Sequence, residues 1–321
     1  MKPTHPFIDK KNREDGFTFV ELLVVLATLA LLTVMLLPAI AGTKPNTQAF
    51  QCLENQRQLI LALQMYAQDN SDLLPPNDYP YLTRYAGTAA STQAKKKNWV
   101  VGTMADPLDA ADRPYLVGQV SELLDPNTLL SPYITNRAVY RCPADNYIDP
   151  YAGNMLHCRS YSMNAAVGTI WSSSTAMGAG GSDPRPVGSP VSGGWLPGKA
   201  YNASQTAWKT YGKMTSFTKP GPANTFVFMD ENPRTINDGS ISFSAYASAG
   251  NTYLIDLASG NHNAAAAISF ADGHVIVHKW QDGRTYIFMA AGQGNFSQNA
   301  TKQAPDDPDC FYLAPITSAA H

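Results

Sequence analysis

The sequence predicts an α+β protein in which a long N-terminal helix, membrane-spanning in its first half, packs on an antiparallel β-sheet head with loop insertions. Three observations lead there. The stretch from Leu22 to Ala41 carries no charge, and about twenty residues at ~1.5 Å each match a hydrocarbon core of about 30 Å. An amphipathic helical pattern follows from about Thr47 to Asp69, with its apolar positions on one side. The rest of the chain has the composition of a loop-rich β head: among 321 residues there are 23 Gly, 23 Pro and 16 Tyr, more turn-forming and aromatic residues than a helical bundle uses.

Residues 1–16 read as a polar leader. It contains Lys2, Lys10, Lys11 and Arg13, which the positive-inside rule keeps cytoplasmic, so the bulk of the chain is expected outside the cytoplasm. A secretory signal peptide has a shorter apolar core followed by a small-residue cleavage site. Here Gly16 stands before the core, and Glu21 follows it by five residues. A glutamate near the end of a membrane helix is costly unless it finds a partner.

In these respects Gly16-Phe17-Thr18-Phe19-Val20-Glu21-Leu22-Leu23-Val24-Val25-Leu26 resembles the class III signal of type IV prepilins and type II secretion pseudopilins. The resemblance implies cleavage by a prepilin peptidase between Gly16 and Phe17, N-methylation of Phe17, and assembly through Glu21, whose partner would be the methylated amine of a neighbouring subunit. It also implies a helix kink at Pro38. Residues 17–42 are then both a transmembrane helix and the core of a filament. The expected location is the inner membrane, single-pass, with a periplasmic head and the leader removed, until the subunit enters a filament.

The second half of the helix is expected over 43–70, after a joint at Gly42 to Asn46. On its wheel Cys52, Leu59, Leu63 and Tyr66 fall within about 40° of a common direction, with Glu54, Arg57, Gln64 and Gln68 opposite. Cys52 is thus expected to face the head. Asn70-Ser71-Asp72 and Pro75-Pro76-Asn77 end the helix, because proline cannot continue its hydrogen-bond ladder.

The head, 71–321, begins with an irregular layer over 78–140 that has short helical candidates at Val120 to Leu124 and Leu129 to Tyr133. A formal charge of −2 and a pI near 6.3 exclude a strongly basic nucleic-acid surface, and Lys95-Lys96-Lys97 reads as a solvated loop. Cys142-Pro143-Ala144-Asp145 places a cysteine at a proline-fixed turn, and Arg159 to Asn164 alternates like a short strand. Asp145 and Asp149 could join a calcium site, but two carboxylates fall short of the six to eight oxygens that calcium takes; turn capping is the expectation, and no cofactor is assigned. The Gly-rich stretch from Ser172 to Gly198 does not follow a strand and open a helix, as a phosphate loop would. Thr225 to Met229 reads as a buried strand ending in Asp230 and Glu231, whose side chains point to opposite faces, a poor arrangement for a paired acid and base; a calcium or hydrogen-bonding role for one of them is a further reading.

Four cysteines, Cys52, Cys142, Cys158 and Cys310, are disulfide candidates in an oxidising compartment. Cys52 with Cys142 and Cys158 with Cys310 is one pairing, Cys142 with Cys158 is a rival, and free thiols are a third reading. No two have the spacing of zinc ligands, and no metal site is assigned.

His262, nine residues, then Asp272-Gly273 form an H-x9-D-G pattern. With Lys279-Trp280, Asp282, Arg284 and Thr285, it resembles a pseudopilin subfamily that carries this pattern. The flanking apolar segments predict a two-residue hairpin at Asp272-Gly273, pairing Phe270 with Val275. An unbroken strand from His262 would put it about 30 Å from Asp272 and close to Asp282 and Gly283. The motif therefore reads as structural rather than as a catalytic dyad.

No serine, cysteine or histidine set has nucleophilic spacing, so a non-enzymatic role is expected. The expected partners are prepilin peptidase, other pilin or pseudopilin subunits, the inner-membrane assembly proteins of a type II secretion-like system and the membrane, without nucleic acid. Two alternatives stand beside this: a type IV or minor pilin for adhesion, motility or DNA uptake, and an anchored glycan-binding domain using Trp171, Trp195 and Trp208.

Overall fold

The computed structural model of the chain describes residues 18–41, 43–77, 98–100, 128–149, 154–170, 185–202, 204–236, 238–287 and 302–321, with the short pieces 176–177 and 181–182. They belong to two compact units, one through Asn46 and one from Thr47.

In the first unit lies α1 (Phe19–Ala41). Its start is a reciprocal cap. The amide and hydroxyl of Thr18 donate to Glu21 Oε2 at 2.8 and 2.7 Å, and the Glu21 amide donates to Thr18 Oγ1 at 3.3 Å. This satisfies amides that a helix start otherwise leaves unpaired. Gly16 and Phe17 lie outside the described residues, as does the side chain of Pro38.

Two expectations are overturned here. Among the described residues no helix is long and apolar enough to cross a membrane, so the transmembrane half-helix and the single-pass inner-membrane location are not supported. The expected single long helix is not shown either: the described residues give α1 and, from Thr43, α2 (Thr43–Asp69).

From Thr47 onward α2 belongs to the second unit. Cys52, Leu59, Ile60, Leu63 and Ala67 are buried along one side, at the spacing of a helical face. The helix ends where Ser71 and Asp72 take φ of 56° and 69°, and the Asp72 amide returns to the Ala67 carbonyl at 2.8 Å. This left-handed close satisfies a carbonyl of the last turn.

The helix packs on a five-stranded sheet of β1 (Tyr161–Asn164), β2 (Phe226–Asp230), β3 (Ser240–Ile241), β4 (Ala265–Phe270) and β5 (Val275–Lys279). The strand order is β5, β4, β2, β1, β3. The expected antiparallel sheet is in fact mixed, because β3 runs parallel to β1 while the other neighbours are antiparallel. A long connection, from Asn164 to Ser240 by way of β2, lets β3 return in the same direction as β1.

Both faces of the sheet are covered. On one, Leu59 and Leu63 of α2 cluster with Tyr161, Met163, Val227, Phe228 and Ala267. On the other, Phe226, Met229, Ile268 and Phe270 cluster with Trp280 and with Leu313 of α3 (Pro308–Thr317). Small side chains at 265–267 let α2 approach the strand backbone, and Gln56 Nε2 of α2 donates to the Ala267 carbonyl at 2.8 Å. Burial on both faces explains why β1, β2 up to Asp230, and β4 are apolar or neutral rather than strictly alternating.

The β4–β5 pair is adjacent and antiparallel, but its register differs from the expected one. Val275 pairs with Ser269 and Val277 with Ala267. A two-residue type I′ turn needs positive φ at both central positions; Gly273 has φ of 98°, and Asp272 is not among the residues with positive φ. The loop therefore takes three residues, 271–273, between Phe270 and His274, with hydrogen bonds from Phe270 N to His274 O and from Gly273 N to Phe270 O. The one-residue shift turns Val275 and Val277 away from the face of Ile268 and Phe270, and Val277 is 39% exposed.

Candidate metal centre

Four side chains from distant parts of the chain meet beneath α2. Cys52 comes from the helix, Cys142 from the Cys-Pro turn, Asp230 from the end of β2 and His262 from the turn before β4. Their ligand atoms, the two Sγ, one carboxylate oxygen and one ring nitrogen, all lie within 4.8 Å of one another, and all four residues are buried. His262 Nε2 is 3.2 Å from Cys142 Sγ and 3.6 Å from Asp230 Oδ2. Cys52 Sγ is 4.0 Å from Asp230 Oδ2.

Local sequence places each group. The buried side of α2 carries Cys52, as its helical spacing predicts. The Cys142 turn is closed by the Asp145 amide donating to the Cys142 carbonyl at 3.0 Å. Asp145 accepts from the Tyr147 amide at 3.1 Å and the Ser160 hydroxyl at 2.6 Å, so it caps the turn.

His262 sits where sequence reasoning did not place it. Instead of one extended strand from His262, the chain turns at 261–264, with Asn263 and Ala264 at φ of 62° and 58°. Trp280 clamps that turn: its amide donates to the Ala264 carbonyl at 2.8 Å and its indole to the Ser259 carbonyl at 2.8 Å. The turn swings the imidazole into the core, away from Asp282, which instead pairs with Arg284 at 2.6 Å.

Asp272 and Gly273 lie apart from this centre. The Asp272 carboxylate accepts from the His274 amide at 3.1 Å and sits 2.6 Å from His274 Nδ1, while the His274 ring stacks on Phe270 with centroids 4.2 Å apart. The two ends of the H-x9-D-G pattern thus do separate jobs, one in the core and one at a surface turn.

All four cysteines are free thiols in this structure. Cys158 packs at the edge of the cluster under α2, whereas Cys310 lies in a separate cluster with Leu254, Leu257 and Ala304. Burial pushes the thiols of Cys158 and Cys310 up to about 12.

The central cluster is electrostatically unusual. Burial raises the Cys52 and Cys142 thiols and the Asp230 carboxyl, the neighbouring Cys142 and Asp145 raise Asp230 further, and burial lowers the His262 imidazolium. Three acids and an imidazole thus face each other in a space that disfavours charge. Asp230 Oδ1 and His262 Nδ1 are buried without a hydrogen-bond partner. A donor nevertheless points at one sulfur: the Tyr161 hydroxyl at Cys52 Sγ, 3.2 Å away. Two thiols, a carboxylate and an imidazole are a donor set that a divalent cation accepts.

Sequence spacing could not reveal this centre, because its members stand 90, 88 and 32 residues apart. The available signal was a buried strand ending in a carboxylate. Of the other sequence-derived sites, Trp171 lies outside the described residues, Trp195 is half-buried against Tyr201, and Trp208 is half-buried beside the main core.

No family model, curated protein or solved structure matches the chain.

Proposed function

We propose that the chain is a pseudopilin-type structural subunit, cut by a prepilin peptidase after Gly16, N-methylated at Phe17 and built through α1 into the pseudopilus of a type II secretion-like system. Its partners are then other pilin or pseudopilin subunits and the assembly proteins of that system. The reading rests first on the register of Gly16, Phe17 and Glu21 ahead of the apolar run.

The observation that carries it is the surface of α1. Ten large apolar side chains between Phe19 and Leu32 are exposed, Phe19 by 74% and Leu31 by 62%. Fully covering one such side chain is worth about 1.5–3 kcal/mol. With each about half exposed, ten of them give about 8–16 kcal/mol, which offsets the roughly 4–15 kcal/mol that association costs in lost motion. Parallel α1 segments of other copies are the cover this reading supplies. The Thr18 cap holds the Glu21 carboxylate in the first turn, where the amine of a neighbouring Phe17 would meet it. Attraction between the two charges in an apolar bundle would set the axial register.

Mass spectrometry of the mature chain is expected to find a methylated N-terminus at Phe17; any other start overturns the processing claim. Glu21→Ala is expected to leave cleavage largely intact and to reduce recovery in sheared filaments at least tenfold. Unchanged incorporation of that variant would refute the assembly role.

A further inference from the structure

We infer that Cys52, Cys142, Asp230 and His262 together bind one divalent metal ion of the zinc type, as a structural staple in the head. This stands apart from the filament reading, since it uses other residues and a different observable.

Geometry supplies the first argument. Tetrahedral zinc with sulfur at about 2.3 Å and nitrogen or oxygen at about 2.0–2.1 Å has ligand-to-ligand edges of about 3.3–3.8 Å. Three of the six separations, 3.2, 3.6 and 4.0 Å, bracket that range, and all six lie within 4.8 Å. An ion at the centre needs only small side-chain shifts.

The second argument is the unmet bonding of the cluster itself. Asp230 is fully buried, and its Oδ1 has no partner. Among the described residues its ion-pair partner is His262, at 3.6 Å, and no Lys or Arg reaches it. Glu231, the adjacent buried carboxylate, also has an unpartnered oxygen, Oε2, but it faces the charge of buried Arg159 and accepts from the Thr235 hydroxyl at 3.1 Å. A cation at the cluster gives Asp230 the counter-charge it lacks.

The third argument is the direction of a neighbouring donor. A neutral thiol has little need of donors at sulfur, whereas a thiolate does. The Tyr161 hydroxyl donates to Cys52 Sγ, 3.2 Å away. Donors around a ligand are what hold it oriented toward a metal.

Four protein ligands close the coordination shell and leave no position for substrate, so the site is structural. Loading releases the thiol protons and any proton on Asp230 to solvent as the metal–ligand bonds form. The ion would tie α2, the Cys-Pro turn, β2 and the turn before β4 at one point.

The test uses the full chain purified under reducing, chelator-free conditions. Elemental analysis is expected to find about one zinc per chain, and cobalt(II) replacing it is expected to show thiolate-to-cobalt charge-transfer absorption. Cys142→Ser and His262→Gln are expected to lower bound zinc at least tenfold. Because either variant could fail to fold, the unaltered chain is also stripped with chelator: its melting midpoint should fall and recover when zinc is returned. Less than a tenth of an ion per chain, with no cobalt–thiolate band, overturns the proposal. A Cys52–Cys142 disulfide in the chain isolated from its host under alkylation overturns it as well.

Discussion

Asn164 offers the sharpest test of how the sheet is held to its surroundings. It is fully buried at the end of β1. Its Nδ2 donates to the Phe226 carbonyl at 2.9 Å and the Thr317 carbonyl at 3.0 Å, and its Oδ1 accepts from the Ala166 amide at 2.9 Å. One side chain thus joins β1, β2, the last residue of α3 and the turn after β1. Asn164→Ala leaves three backbone groups without this partner, at about 1 kcal/mol or more each. A loss of about 3 kcal/mol lowers the melting midpoint by roughly 6–12 °C in a domain of this size. Asn164→Asp behaves differently. A protonated Asp keeps one donor and the acceptor, but a carboxylate turns negative oxygen toward two carbonyls. The buried acid therefore stays protonated while the unfolded chain ionises above pH ~4. The variant then loses about 1.4 kcal/mol of stability per pH unit relative to the parent, or about 4 kcal/mol by pH 7. Asn164→Asp should be milder than Asn164→Ala at pH 4 and harsher at pH 7. Urea unfolding at a series of pH values measures both. Parallel pH profiles for the two variants would show that this pocket does not penalise charge, and the argument would fail.

Two further perturbations test other parts of the head. Asp256 is buried and, through burial and then the neighbouring Asp238 charge, is pushed up to about 8. The folded chain keeps a proton there that the unfolded chain loses above pH ~4, so this group's contribution to stability falls as pH rises from about 4 to about 8 and is level beyond. Asp256→Asn retains an oxygen for the Ser242 amide, which donates to Oδ2 at 2.7 Å, and should flatten the slope. The variant should match the parent near pH 4 and melt several degrees higher at pH 8; an unchanged slope in differential scanning calorimetry would count against it. Ala264 has φ of 58°, a conformation that costs an L-residue roughly 1–2 kcal/mol. Ala264→Gly removes that cost while loosening the unfolded chain, and a gain of up to about 1 kcal/mol is expected by urea unfolding. A loss would mean that the methyl group contributes packing the turn needs.

Much of the head was legible because the deciding physics was local. The buried run from Thr225 to Met229 could hardly be other than a central strand, and it is β2. The helical spacing of Cys52, Leu59 and Leu63 identified the buried side of α2. Two apolar segments around Asp272-Gly273 announced the β4–β5 pair, although the turn length, and with it the register, depended on the φ of a single residue, Asp272. By contrast α3 was missed. Its Asp307 cap and Pro308 at the first position are helix-start signals, but Pro315 within the helix masks them.

The sequence by itself determined which segments are apolar, where they must turn and which groups carry chemistry, because those properties depend on neighbours a few positions away. Only the tertiary structure decided the rest. The parallel placement of β3 follows from chain connections spanning scores of residues. The meeting of Cys52, Cys142, Asp230 and His262 depends on a left-handed turn at Asn263 and Ala264, a local choice held in place by Trp280 from β5's far end. No spacing rule links these four residues. They converge because the fold buries one face of α2 against the ends of several strands, and burial there leaves polar groups to find one another.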